Sequence, residues 1–148
     1  MTLGETRRAF TGCIGKLITH IGDLGFVCQI EEAVRSDEQA ALNALGDAGR
    51  HQLASLIGTD ARFHALTMAV LNHNGNGILM SNHRVGLAVD LSLFKLAPGG
   101  TTWVYCTDTT DYEGIGSWWE TQHALARWGG RFTHPDADHF SFEWNGVR

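Results

Sequence analysis

Leu87, Val89 and Leu91 alternate with Ala88 and Asp90, and this period of two constrains the fold more than any other feature of the chain. Such alternation over 86–92 predicts a β-strand with one face in a core and Asp90 on the other. Phe140, Phe142 and Trp144 repeat the period and predict a final strand just after His139. The N-terminal region keeps a different rhythm. Phe10, Cys13, Ile14, Leu17, Ile18, Ile21 and Leu24 recur at spacings of three and four, the stripe of a helix over 5–24 that Gly22 and Gly25 close. Both periods in one short chain predict an α+β fold, a small antiparallel sheet flanked by helices.

Between these anchors, residues 26–30 (Phe-Val-Cys-Gln-Ile) read as a short buried strand. Ser36 and Gln39 match a capping box opening a helix, a further helix is expected over 60–72, and 72–77 form a turn cluster. Pro98-Gly99-Gly100 predicts a turn before a strand at 101–106, and 112–127 a helix ending before Gly129-Gly130.

A length of 148 residues is that of one domain, 1–148, able to bury a core without disulfides. The three cysteines (Cys13, Cys28, Cys106) are odd in number and form no CxxC pair, so free buried thiols are expected. A formal charge of −5, with no run of Lys or Arg, argues against a nucleic-acid partner. The N-terminus shows no signal-peptide pattern, and no apolar run approaches the ~18 residues of a membrane span. A soluble chain made in the cytoplasm, with no membrane insertion, is the expectation.

His83, Asp90 and His139 carry the chemistry. Two imidazoles and a carboxylate suit zinc and leave a fourth coordination position for water, as catalytic sites require; other divalent metals could use the same set. Six residues separate His83 from Asp90, too many for one helix face, so the ligands must converge from a loop and sheet edges, with His83 and His139 at strand starts. Asp136, three residues before His139, is a candidate general base. Plainer roles stay open: a hydrogen-bonded structural histidine for His83, a pair with Glu31 or Glu32 for Arg35, a helix cap for Ser81, and orientation of a histidine for Asp136. His20, His51, His64 and His123 fall in helical segments, and His73 and His134 in loops. Asp138 is expected to face away from Asp136. Trp118, Trp119, Trp128 and Trp144 read as core, with Trp128 the one most suited to line a groove. Cys106 is expected to be buried rather than nucleophilic.

The blocks Ser81-x-His83-x-x-Gly86-x-Ala88-x-Asp90 and Asp136-x-x-His139, followed by Phe142-Glu143-Trp144, resemble the M15 peptidases. This family comprises zinc D-Ala-D-Ala carboxypeptidases and dipeptidases and phage L-alanyl-D-glutamate endopeptidases, and shares its fold with the Hedgehog signalling domain. Glu32-Ala33-Val34-Arg35-Ser36-x-x-Gln39 resembles the family's arginine block, and Trp128-Gly129-Gly130-x-Phe132 the segment before the last ligand in the endolysin branch. The resemblance implies zinc on His83, Asp90 and His139, Asp136 as general base, Arg35 on the substrate carbonyl and Ser81 in contact with substrate. It also implies a bacterial peptidoglycan stem peptide as substrate, cleaved at L-Ala–D-Glu, with D-Ala-D-Ala cleavage and a non-catalytic zinc-containing binding module as alternatives. A monomer without a separate wall-binding domain, reaching the wall after holin-dependent release, completes the expectation. An ordinary Asp pKa near 3.9 returns a proton poorly, so partial burial should raise that of Asp136. Here Ser141-Phe142 lengthen the usual closing motif, which leaves the role of Glu143 open.

Overall fold

The computed structural model describes residues 1–35 and 81–148. Helix α1 (Leu3–Asp23) opens with a capping box, Thr2 and Glu5 each satisfying the other's backbone amide. Its stripe of Thr6, Phe10, Cys13, Leu17 and Ile21 is buried, and Gly25, at φ 83°, turns the chain out of the helix. Helix α2 (Thr109–Gln122) starts at Asp108, whose carboxylate accepts from the Thr110 amide, and buries Tyr112, Ile115, Gly116 and Trp119.

The sheet is antiparallel. It is built from β1 (Val27–Glu32), β2 (Ala88–Leu96), β3 (Trp103–Tyr105), β4 (Ala126–Trp128) and β5 (His139–Phe142), in the order β1-β2-β5-β4 with β3 also paired to β2. Leu87, Val89, Leu91 and Leu93 enter the core with Phe140 and Phe142, against Phe10, Leu17 and Ile21 of α1 and Ile115 and Trp119 of α2. Trp119 sits at the centre, its ring 6.0 Å from Phe10 and 5.6 Å from Phe142, centroid to centroid. The architecture is α+β, as the two periods predict.

Three local expectations are corrected. The 26–30 strand exists but is not buried: β1 ends the sheet order, and Val27 and Ile30 are 42% and 55% exposed. Helix 112–127 stops at Gln122, because Ala126, Arg127 and Trp128 pair with Phe142, Ser141 and Phe140 instead. Ladder pairing and burial outweigh the helix preference of an Ala- and Leu-rich stretch. The strand at 101–106 is shorter, and the preceding turn places Gly99 and Gly100 at positive φ. The helices expected after Ser36 and over 60–72, the 72–77 turn, and His51, His64 and His73 lie outside the described residues. Among the described residues, no helix is long and apolar enough to cross a membrane.

Candidate metal centre

Register creates the site. Asp90 on β2 lies directly opposite His139 on β5, and Glu32 on β1 lies directly opposite Asp90 on the other side. Opposed residues of antiparallel strands project to the same face with Cβ atoms about 5 Å apart, so Glu32, Asp90 and His139 form one row across three strands. A register shift between Ile30 and Glu32 brings Glu32, rather than Glu31, into that row.

His83 joins from a single turn of 3-10 helix (Asn82–Val85) just ahead of β2, not from the strand start. The turn is over-determined. Ser81 caps it by accepting from the His83 amide, and Gly86 closes it in the left-handed region at φ 63°. Asn82, 2% exposed, donates through Nδ2 to the carbonyls of Phe142 and Val147, and Arg7 Nε donates to the Val85 carbonyl at 2.7 Å. The glycine of the Ser-x-His-x-x-Gly block is thus a backbone requirement, and the serine hydroxyl is committed to the cap.

The three side chains meet closely. His139 Nδ1 lies 3.0 Å from Asp90 Oδ1, His83 Nε2 lies 3.2 Å from the same oxygen, and the two ring nitrogens are 3.2 Å apart. Four-coordinate zinc with bonds of about 2.0–2.1 Å separates its ligand atoms by about 3.3 Å, so this near-equilateral triangle has the dimensions of three corners of such a tetrahedron. All three ligand atoms fall within 4.8 Å of one another, a group that could hold a metal ion. The far nitrogens, His83 Nδ1 and His139 Nε2, are buried without a hydrogen-bond partner among the described residues. Burial pushes the Asp90 carboxyl up, but hydrogen bonds from His139 and His83 and their charge outweigh it and hold Asp90 well below the usual carboxylate range. Asp90 is an anion facing two imidazoles, the donor set a divalent cation requires.

Arg35 comes to the same place. Its amide reaches the His83 carbonyl at 3.3 Å, and its guanidinium forms a two-pronged pair with Glu32, one arm being Nε to Oε1 at 2.9 Å. The pair with Glu32, one of the plainer roles left open for Arg35, is therefore present, and it is built beside the cluster. The hydrogen bond to Glu32 raises the Arg35 pKa, with smaller contributions from the charges of Asp90 and Asp136.

Asp136 is exposed, and the expected burial falls on its neighbour. Asp138, half-buried, shares a side-chain hydrogen bond with Asp136; burial first, then that bond and the charges of Asp136 and Asp90, push its carboxyl up to about 7. Asp138 therefore turns toward Asp136, not away from it. The sequence gives no signal of this, because the direction depends on the loop ahead of β5. Asn82 carries no signal in the sequence, and Glu32, expected only as a partner of Arg35, owes its place in the row to the register.

Other candidates resolve into structure. Trp128, 2% exposed, belongs to the core among the described residues. Glu143 pairs with Arg127 at 2.8 Å. Trp118 stacks on His20, His134 is exposed, and Cys106 is buried with its pKa raised by that burial.

Residues 74–142 match a family model described as D-alanyl-D-alanine carboxypeptidase, within the M15 peptidases. No curated protein matches the sequence. Among solved structures, the fold is similar to a zinc-bound crystal structure of a point variant of the vancomycin-resistance D,D-pentapeptidase VanY, from a VanB-type cassette. That likeness has 16% identity and a TM-score of 0.46 over 90% of this chain and 70% of that one, too distant to carry any detail of the site. The matched segment, 74–142, is the part of the chain that holds His83, Asp90 and His139 together, and over that segment the chain is similar to the M15 peptidases.

Proposed function

We propose that this chain is a zinc-dependent peptidase of the bacterial peptidoglycan stem peptide and that it cuts the L-Ala–D-Glu bond. The observation that carries the metal-dependent part is the triangle of His83 Nε2, Asp90 Oδ1 and His139 Nδ1, with sides of 3.0–3.2 Å. Zinc held there would supply a Lewis acid and lower the pKa of coordinated water toward about 7. Asp136 would take the proton of the attacking water and return it to the leaving amine. Asp138 lies close enough to Asp136 for the two carboxyls to act on each other. Arg35, whose pairing with Glu32 holds it beside the row, would offer its guanidinium to the carbonyl oxygen as charge develops. Ser81 would meet substrate through the edge of its capped turn.

Trp128-Gly129-Gly130-x-Phe132, which resembles the endolysin branch, supports the L-Ala–D-Glu bond. The family model's description favours a second reading, D-Ala-D-Ala carboxypeptidase action at the same site. Mass spectrometry of purified peptidoglycan digested with zinc-loaded protein separates them, with His83→Ala and Asp136→Ala as controls. Fragments with a new D-Glu N-terminus, absent from both controls, are the expected result. Released D-Ala alone would move the chain to the carboxypeptidase reading. No cleavage with zinc bound would favour a binding module and overturn the proposal.

A further inference from the structure

Trp128 stands between the core and the loop that delivers His139. Its indole N–H donates to the carbonyl of Ala137, midway between Asp136 and Asp138, at 2.7 Å. The ring lies where a Cβ on Gly116 of α2 would come within 2.0 Å of it, and one on Gly130 within 2.2 Å. The adjacent Gly129 holds the same loop through its backbone. Its carbonyl accepts from the Asp136 amide at 3.0 Å, and a Cβ there would meet the Asp136 carbonyl oxygen at 2.3 Å and His139 Cβ at 2.8 Å. Trp128 also lies opposite Phe140 in the β4–β5 register, one residue beyond His139.

We infer that Trp128 is a positioning residue for the metal cluster, whose indole N–H fastens the 136–139 loop and so fixes how His139 meets Asp90 and His83. Packing alone would need only an apolar ring of this size. A buried indole N–H needs an acceptor, and here the acceptor is a carbonyl in the middle of the loop, so the bond that satisfies the ring also ties down the loop. His139 enters β5 directly after this loop, and its amide hydrogen-bonds the Asp136 carbonyl at 3.3 Å, so freedom at Ala137 passes to the imidazole. Partners outside the ligand set that orient a metal-binding side chain commonly carry about 10–100-fold of metal affinity. This inference rests on the zinc reading above.

Two variants test it. Trp128→Phe keeps an aromatic ring and removes the donor. Replacing Trp128 by its benzothiophene isostere, in which sulfur takes the place of the indole N–H, removes the donor and keeps the shape. Zinc affinity is measured by chelator competition, and the unfolding midpoint of the metal-free protein is measured beside it. Both variants are expected to bind zinc about 10–100-fold more weakly, with the isostere's metal-free midpoint close to wild type. An isostere that binds zinc as tightly as wild type overturns the inference, whatever the stability of Trp128→Phe. Should the Phe variant fail to fold, the isostere decides alone. Wild type that binds zinc but cuts no wall peptide sinks the proposed activity and leaves this inference standing; wild type that binds no zinc sinks both.

Discussion

Gly114 and Gly116 sit two residues apart in α2, and the same substitution at each should move stability in opposite directions. In a helix interior Ala is favoured over Gly by about 1 kcal/mol. At Gly114 a Cβ meets no atom within 4 Å among the described residues, so Gly114→Ala should collect that gain. At Gly116 the new Cβ would lie 2.0, 2.4 and 2.5 Å from three atoms of the Trp128 ring. The ring has no easy escape, because its N–H is bonded to Ala137 and Gly130 lies tight against another of its edges. Overpacking a filled site costs about 1–3 kcal/mol, and this one belongs at the upper end. The helix gain offsets part of it, leaving Gly116→Ala about 2 kcal/mol less stable than wild type.

For a domain of this size 1 kcal/mol moves the midpoint by about 2–4 °C. Gly116→Ala should melt about 4–8 °C below wild type and Gly114→Ala about 2–4 °C above it. The assay is thermal unfolding of metal-free protein followed by circular dichroism, with calorimetry to confirm a two-state transition. Equal midpoints for the two variants would mean that Trp128 is not seated on Gly116, and the account of the loop anchored behind it would fail.

Asp136→Ala should keep zinc affinity and lose about 10²–10⁴-fold in turnover, the usual worth of a general base; full activity in a wall-peptide assay would remove Asp136 from that role. His83→Ala and Asp90→Ala should each weaken zinc by more than 100-fold, which chelator competition reads, and an Asp90→Ala variant with wild-type affinity would exclude the proposed ligand set. Zinc at about a hundredfold excess over its Kd should stabilise the fold by about 2.7 kcal/mol, seen as a midpoint about 5–11 °C higher that chelation reverses. In the metal-free protein the raised Asp138 pKa means that the fold favours its neutral form. Stability should therefore be fully present below the unfolded value near 3.9 and decline as pH rises through about 7. Asp138→Asn should flatten that decline and be more stable than wild type at pH 8, by on the order of 1 kcal/mol once solvent screening is allowed for; an unchanged slope would refute the assignment.

What could be read in advance followed from local periodicity. The alternation Leu87-Val89-Leu91 against Ala88-Asp90 separates the buried face from the face that bears the carboxylate, because successive strand residues point to opposite sides. The α1 stripe is equally local. Register is not: that His139 lies opposite Asp90 depends on how two strands distant in sequence slide together. The turn holding His83 was hidden for a related reason, since its 3-10 geometry rests on Gly86 at positive φ and on Asn82 reaching residues 60 and 65 positions away. Asp138 turned toward Asp136 because the loop that bears them is fixed by Trp128 and Gly129, which no period encodes.

The row across β1, β2 and β5 supplies a physical reason for a cation at this place. Glu32 and Asp90 are directly opposed, and like charges in that relation destabilise a sheet. Arg35 neutralises Glu32, which leaves Asp90 as a half-buried anion whose nearest partners are two imidazoles. The carboxylate oxygen and the two ring nitrogens crowd to within 3.0–3.2 Å of one another. A divalent ion would satisfy the carboxylate and both nitrogens at once. The register that opposes Asp90 to His139 therefore does more than pair two strands: it sets two of the three corners of a metal-sized triangle.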